Sequence, residues 1–223
     1  MIDLIEIRPA AWKDLEAVER LKIRIFSSLP NSAMGRLPLE TQLKVRLALN
    51  KATGNIPEQT MAAFDGARLV GVTSFETAEN LRFPRLKDVA ILSPLGLWGA
   101  LRVWLVASLS YYPDQPREAY FHGIATESDY RHRGIAKRLM TAAEQQALHM
   151  GKDFAVVMVS RENTASINLM KKLGYHEVIY QRNILRTFFL GEPKFIRLEK
   201  QITPVLHTDP DFLSEMVKDE RND

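Results

Sequence analysis

The feature that most constrains the fold of this 223-residue chain is a strand that runs through a short basic turn into a long helix. Residues 119–126 (AYFHGIAT) suit a buried strand, and DYRHRGIAKRLM follows at 129–140. Basic side chains surround Gly134 in this turn, namely Arg131, His132, Arg133, Lys137 and Arg138. The first turn of a helix presents N–H groups without intrahelical partners at the positive end of the helix dipole. The sequence therefore predicts an anion site here, which Gly134 opens to close approach by a ligand.

The segments after the turn have equally clear patterns. The helix that begins near Gly134 carries one apolar face, formed by Ile135, Leu139, Ala143, Ala147 and Met150, and Gly151 is a suitable stop for it. The apolar run at 153–160 predicts a strand that is buried on both faces. A short helix should follow, with Asn163 or Thr164 as its N-cap and Gly174 just beyond its end.

Upstream segments alternate between strand and helix patterns. We expect a strand at 4–8, an amphipathic helix at 12–26, a helix at 39–50 and a hairpin with strands at 61–64 and 68–76 around Asp65–Gly66. Two closing strands are expected at 175–182 and 194–202. The pattern predicts an α/β (α+β) fold with one domain over residues 1–202 and a polar tail at 203–223.

The composition narrows the functional classes. The chain has no cysteine, which excludes thiolate metal ligands and a cysteine nucleophile, and we expect no metal site. Its net charge of +3 is small, so we expect no nucleic-acid partner. The N-terminus lacks the basic and apolar regions of a signal peptide, so a cytoplasmic location is expected.

Residues 79–117 interrupt the alternation between the third and fourth predicted strands. Arg102 is the only charge between Val89 and Tyr112, yet Pro94, two glycines and Arg102 itself argue against a membrane span. We interpret the segment as an inserted buried helix or lid. Peripheral membrane contact through residues 89–112 remains a less favoured alternative.

The spacing of the turn matches neither a P-loop nor a dinucleotide-binding motif. It reads Arg-x-x-Gly-x-Ala, with Arg131, Gly134 and Ala136 at the fixed positions. This pattern resembles the signature of the GCN5-related N-acetyltransferase (GNAT) superfamily, which also lies between a strand and a long helix. A second signature is similar as well: Asn163 is followed eleven residues later by Gly174 and Tyr175.

The resemblance implies a central mixed, mostly antiparallel twisted sheet flanked by helices, with acetyl-CoA as the acyl donor. Its pyrophosphate would bind the N–H groups of residues 131–136, and its pantetheine arm would lie along the strand at 124–126. The implied cofactor-binding residues are Ile124, Ala125, Thr126, Arg131, His132, Arg133, Gly134, Ile135, Ala136, Lys137 and Asn163. Plain N-capping is the structural alternative for Asn163.

Acetyl transfer to an amine requires a group that accepts the amine's proton. Strand alternation places Tyr120 and His122 on one face, and Glu127 and Glu76 are further candidates. The family's usual tyrosine acid corresponds to Met170, which has no proton to give. Because there is no cysteine, we expect direct attack in a ternary complex rather than an acetyl-cysteine intermediate.

The expected acceptor is a primary amine on a small molecule or a peptide. It would bind across the sheet from the cofactor, between the first helices and the strands around Phe75 and Tyr180. Trp98 and Trp104 of the insertion would line an apolar pocket or a dimer contact, or simply extend the core, and a homodimer is left open. The alternative to an enzyme is a catalytically silent acyl-CoA-binding or sensor module of the same fold, with membrane-peripheral attachment as a variant.

Overall fold

The computed structural model describes residues 5–26, 37–53, 59–79, 91, 93–94, 96–101, 115–178 and 195–203. Within these ranges seven strands form one sheet: β1 (Ile5–Pro9), β2 (Thr60–Asp65), β3 (Arg68–Thr77), β4 (Glu118–Thr126), β5 (Phe154–Ser160), β6 (His176–Val178) and β7 (Phe195–Gln201). Their order across the sheet is β1-β2-β3-β4-β5-β7-β6. Pairing is antiparallel except between β4 and β5, which are parallel. The predicted mixed, mostly antiparallel sheet is confirmed.

Four α-helices flank the sheet in the described part of the chain: α1 (Leu15–Phe26), α2 (Leu39–Thr53), α3 (Ile135–His149) and α4 (Thr164–Lys172). Two apolar clusters show that helices cover both faces. The predicted stripe of α3 packs with Phe75 and Phe121, whereas Val18 and Leu21 of α1 pack with the other face. The prediction is wrong for Met150, which is exposed because α3 ends at His149 and Gly151 (φ +76°) turns the chain.

Strand β4 contains a bulge opposite β3. His122 is paired with Ser74, but the next pair joins Ala125 to Val72, so two residues of β4 face one of β3. Gly123 lies in the bulge with φ +67°, a conformation that side chains disfavour. The extra residue shifts the alternation, so that Ala125 joins the α1 side of the sheet beyond the bulge.

Strands β4 and β5 separate just before the bulge. Their last register pair is Phe121 with Val157, although β4 continues to Thr126 and β5 to Ser160. The outer part of β5 pairs with β7 on its other side. The sheet therefore contains a wedge-shaped gap between the ends of β4 and β5, next to the turn that leads into α3.

The insertion between β3 and β4 is described only at residues 91, 93–94 and 96–101, of which 96–101 are helical. Ala100 is buried, but Leu97 and Trp98 are each 81% exposed, and Leu101 is exposed as well. The expectation of a buried helix is therefore wrong for these three side chains, because this short helix contacts the protein through a small residue.

Several predictions lie outside the described residues. They concern Trp104, the continuation of the sixth strand to residue 182 with Tyr180, and the tail beyond residue 203, so the boundary of the domain stays a prediction. Within the described ranges, none of the helices combines the length and apolarity that crossing a bilayer requires.

A buried lysine joins the two ends of the insertion. The Nζ atom of Lys152 lies 2.6 Å and 2.7 Å from the carboxylate oxygens of Glu79, and it donates to the carbonyl of Pro116 at 2.6 Å. The side chain of Lys152 is 5% exposed, whereas that of Glu79 is 59% exposed. The hydrogen bond from Lys152 is the main reason that the pKa of Glu79 is lowered to about 2.

We expect Lys152→Met to lower the free energy of unfolding at pH 7 by about 2 kcal/mol, because it removes the hydrogen bond to the carbonyl of Pro116 and the ion pair with Glu79. Glu79 has a folded pKa below its ordinary value of 4.5, so its contribution is complete above pH 4.5 and is lost as the pH falls towards 2. Because Glu79 is exposed to solvent, the part of the free energy of unfolding that is lost on acidification is limited to about 1 kcal/mol.

Urea unfolding at pH 7, 4.5 and 3 would measure both effects, with the exposed residue substitution Lys172→Met as the control, for which a change within about 0.5 kcal/mol is expected. A stability difference between Lys152→Met and the unmodified chain that stays constant as the pH falls would contradict the assigned role of Glu79.

Candidate functional site

The turn between β4 and α3 has the backbone geometry of an anion site. His132 (φ +64°) and Gly134 (φ +76°) are left-handed, and within the described residues His132 is the one non-glycine residue with positive φ. Arg138 is the first helical residue whose N–H reaches a carbonyl of this turn, that of Gly134 at 3.1 Å. The N–H groups of Ile135, Ala136 and Lys137 thus precede the first hydrogen bond of α3. Alternating left-handed residues next to a helix start gather amides into a concavity suited to phosphate.

Side-chain contacts hold this turn against the β2–β3 hairpin. The hydroxyl of Tyr130 donates to Asp65 at 2.6 Å, and this hydrogen bond raises the pKa of Tyr130. The guanidinium of Arg133 lies 4.9 Å from the centre of the Tyr130 ring. Arg138 donates instead to the carbonyl of Ile5 at 2.9 Å, so it serves the fold of β1. Sequence reasoning missed the Tyr130–Asp65 contact, because it joins residues 65 positions apart.

The predicted cofactor-binding residues divide into two groups. The side chains of Arg131, His132, Arg133 and Lys137 are exposed at the turn, as is Gly134, and Arg131 Nε lies 3.4 Å from the carbonyl of Thr126. The side chains of Ala125 and Ile135 are buried in the core, and Ile124 is packed against it, so these residues offer a ligand their main chain. Ala136 is half-buried at the start of α3.

Two polar side chains remain available beside the gap between β4 and β5. The Oγ1 atom of Thr126 is buried without a hydrogen-bond partner at the end of β4. Asn163 is the N-cap of α4, as predicted, because its Oδ1 accepts the N–H of Ser166 at 3.1 Å. Capping occupies the amide oxygen of Asn163 and leaves its NH₂ group as a donor for a ligand. An unpaired hydroxyl next to a gap in the sheet fits a polar chain bound there.

A polar cleft lies on the α1 side of the sheet. It encloses about 370 Å³ of space, part of it continuous with solvent. Its lining comes from α1, α2, the start of β2, the second half of β3 and the centre of β4, namely Leu15, Glu19, Lys22, Asn50, Gln59, Thr60, Ser74, Phe75, Glu76 and His122. Eight of these ten side chains are polar or charged. The cleft therefore suits a polar head group, and it includes Phe75 as predicted.

Charged groups in the cleft are tied together across three elements. Glu19 is buried and lies 3.6 Å from the ammonium of Lys22, 3.4 Å from Arg46 and 3.1 Å from the amide of Asn50. The Lys22 ammonium also donates to the hydroxyl of Ser74 at 3.0 Å. This network fixes α1 and α2 against β3 and places one cation between two acidic residues.

Glu76 and His122 are in contact with each other in the cleft. Their carboxylate oxygen and Nε2 atom are 3.4 Å apart, and the His122 ring is stacked on Tyr120 with the ring centres 6.0 Å apart. Burial alone would raise the pKa of Glu76, but the contact with His122 and the charge of Lys22 outweigh it and lower that pKa. The predicted sharing of one face by Tyr120 and His122 is confirmed, and Glu76 joins them.

Other candidates lie elsewhere. Glu127 is paired with Arg24 of α1 and is not among the described residues that line the cleft. Met170 is fully buried in the core. The Tyr175 hydroxyl donates to buried Glu144 at 2.8 Å, and burial raises its pKa well above the ordinary value, so it is a structural group. Among the described residues, no cluster of three or more acidic or histidine side chains could bind a metal ion.

Comparison with known proteins agrees with this geometry. The profile of the acetyltransferase (GNAT) family matches residues 50–175, more than half of the chain. No curated protein matches the sequence. Among solved structures, an N-acetyltransferase from Staphylococcus aureus Mu50 has a TM-score of 0.62 at 20% identity, with 87% of this chain and 100% of that chain covered.

Two other similar structures contain ligands. One is yncA from Salmonella typhimurium with its cofactor acetyl-CoA, with a TM-score of 0.55, 13% identity, and coverage of 92% of this chain and 98% of that one. The other is the NatC complex bound to Gag peptide and CoA, with a TM-score of 0.55, 19% identity, and coverage of 89% and 99% respectively. At these identities the similarity shows a shared fold.

Proposed function

The chain belongs to the acetyltransferase (GNAT) family, and from this premise we propose that it is an acetyl-CoA-dependent N-acetyltransferase acting on a primary amine. The observation that carries the proposal is the start of α3, where the N–H groups of Ile135, Ala136 and Lys137 precede the first helical hydrogen bond and lie beside exposed basic side chains. The N–H of Arg131 is not part of this set, because it donates to the carbonyl of Ser128 at 3.2 Å. The bound acetyl-CoA and CoA of two similar structures support the same ligand.

Three features of this chain fit the acyl donor. The turn would bind its phosphates through main-chain N–H groups, with Arg131, Arg133 and Lys137 adding attraction. The gap between β4 and β5 leaves main-chain groups of β4 beyond Phe121 for the pantetheine arm, and the Thr126 hydroxyl could pair with one of its amides. A main-chain N–H of β4 near residues 124–126 would polarise the thioester carbonyl.

The amine would enter through the polar cleft on the opposite side of β4. There the Glu76–His122 pair is positioned to accept the proton that an ammonium must lose before it attacks. The two carboxylates Glu19 and Glu76 are balanced by the cations of Lys22 and Arg46, so the polarity of the lining, and not a net charge, bears on the acceptor. The polar lining supports a small polar amine or a peptide terminus over an apolar one.

Direct attack in a ternary complex is the expected mechanism, because the chain has no cysteine that could carry the acetyl group. Initial rates measured at several concentrations of both substrates should give intersecting lines in double-reciprocal plots. Parallel lines together with an isolable acetyl-enzyme would contradict it.

A panel of spermidine, an alanyl peptide with a free N-terminus and a lysine derivative, with detection of released CoA thiol, tests the proposed function. The buried Met170 in place of a proton donor favours one other candidate, a silent acyl-CoA-binding module. Both candidates bind CoA in calorimetry, but only the enzyme releases thiol in the presence of an amine. Absence of CoA binding would reject both. The cytoplasmic location and the homodimer stay predictions.

A further inference from the structure

Lys22 extends from α1 to the point where β4 loses its partner strand. A side chain at Gly123 would begin 3.5 Å from Cε of Lys22 and 4.0 Å from its Nζ. Gly123 comes two residues after Phe121, the last residue of β4 that is in register with β5. The lysine side chain is only 12% exposed, and its hydrogen bond to Ser74 orients the ammonium. A cation is thus held against the strand where the gap begins.

This position matters because acetyl transfer leaves a thiolate that Met170 cannot protonate. We propose that Lys22 is the proton donor to the leaving thiolate, an inference that rests on the proposed function and adds a catalytic residue to it. A Cβ atom at Gly123 would already be in van der Waals contact with Lys22, so a side chain larger than a methyl group there would displace the lysine from the β4 main chain.

The step balances as follows. An ammonium first gives one proton to the Glu76–His122 pair, which releases it to solvent. The amine nitrogen then forms a bond to the acetyl carbon, and its second proton passes to the same pair. The carbon–sulfur bond breaks with its electrons going to sulfur, and Lys22 supplies the proton that turns the thiolate into CoA thiol. Lys22 regains a proton from solvent or from the Glu76–His122 pair, so the net products are the acetamide, CoA thiol and one proton when the amine enters as ammonium.

The surroundings of Lys22 suit this role. Burial lowers its pKa most strongly, and the charge of Arg46 lowers it further, whereas Glu19 and Glu76 oppose the shift. His122 faces the same cleft from β4. Lowering the pKa of the Lys22 ammonium brings it closer to the pKa of an ordinary thiol, which is about 8.5. Proton transfer to a thiolate is efficient when the two pKa values are similar.

The test compares Lys22→Met and Lys22→Arg with the control Lys13→Met, which replaces an exposed lysine one turn before α1. With acetyl-CoA and the best amine of the panel, we expect kcat to fall about 100-fold or more in both Lys22 variants, since arginine keeps the charge but cannot release a proton. The alkaline decline of kcat should disappear in both. Lys13→Met should behave like the unmodified chain.

A donor with a good leaving group separates acid catalysis from a structural role. p-Nitrophenyl acetate releases a phenolate that needs no proton, so Lys22→Met should use it as fast as the unmodified chain does. An equal loss with both donors, restored activity in Lys22→Arg or an unchanged alkaline limb would overturn the proposal. If the unmodified chain binds CoA and transfers acetyl while Lys22→Met retains full kcat, only this inference fails. If the unmodified chain does not bind CoA, the proposed function fails first.

Discussion

Replacing Gly134 with alanine is expected to weaken acetyl-CoA binding by about 100-fold, or about 2.7 kcal/mol, whereas the same change at Gly151 should leave the dissociation constant unchanged. Gly134 has φ +76° at the start of α3, and its N–H belongs to the turn assigned to the phosphates. A residue with a side chain disfavours this conformation, so the turn would relax and its amides would no longer converge. The new methyl group would also stand where a phosphate must approach.

Gly151 is a closely matched control. It also has φ +76°, it lies just beyond the other end of α3, and an added methyl group would meet no atom within 4 Å at either glycine. Both changes should therefore lower the free energy of unfolding by a similar amount, about 1 kcal/mol. Calorimetric titration with CoA and thermal unfolding of both variants measure the two effects separately.

Comparing the CoA affinities of the two variants distinguishes a specific role of Gly134 in binding from a general effect of strain in α3. Equal losses of CoA affinity in both variants would mean that strain in α3, and not the phosphate turn, limits binding. Full affinity in Gly134→Ala would show that the amides of this turn do not hold the coenzyme, which would remove the main support for the proposed function.

Local signals explain why much of the fold could be predicted from the sequence. Gly66 (φ +56°) comes directly after β2 and fixes the hairpin turn, and Gly134 and Gly151 delimit α3 in the same way. The apolar stripe of α3 identifies its buried face because helical periodicity depends only on nearby residues. The left-handed turn at the start of α3 was predictable for the same reason, since its geometry depends on a few consecutive residues.

The resemblance predicted the elements that would wall an acceptor site, but the contacts inside the cleft could not be predicted, because they join distant parts of the chain. The Lys22–Ser74 hydrogen bond joins residues 52 positions apart, and the hydrogen bond between Asn50 and Glu19 joins residues 31 positions apart. The helical spacing of Leu15, Val18 and Ile25 includes the position of Lys22 and not that of the exposed Arg24, but it does not reveal which groups the ammonium meets. The bulge at Gly123 was also missed, because a glycine in a strand pattern does not reveal how its partner is aligned.

His122→Ala is expected to lower kcat/KM at pH 7 by about 100-fold or more while leaving the affinity for acetyl-CoA unchanged. Its imidazole is 34% exposed in the cleft, within 3.4 Å of Glu76, so it can reach both solvent and a bound amine. The lowered pKa of Glu76 keeps that carboxylate ionised throughout the neutral range, where it can orient the imidazole and stabilise its protonated form. Glu76→Gln should therefore also lower kcat, by a smaller factor.

A double-mutant cycle tests whether the two residues act as a unit. If His122 accepts the proton and Glu76 assists it, the double variant should be hardly slower than His122→Ala alone, because Glu76 has no imidazole left to act on. Tyr120→Phe keeps the ring stacked on His122 and removes only the hydroxyl, so it should retain most of the activity. If the losses of activation free energy in the two single variants simply add in the double variant, Glu76 and His122 act independently. A large loss in Tyr120→Phe, together with normal turnover in His122→Ala, would instead assign the proton acceptor to Tyr120.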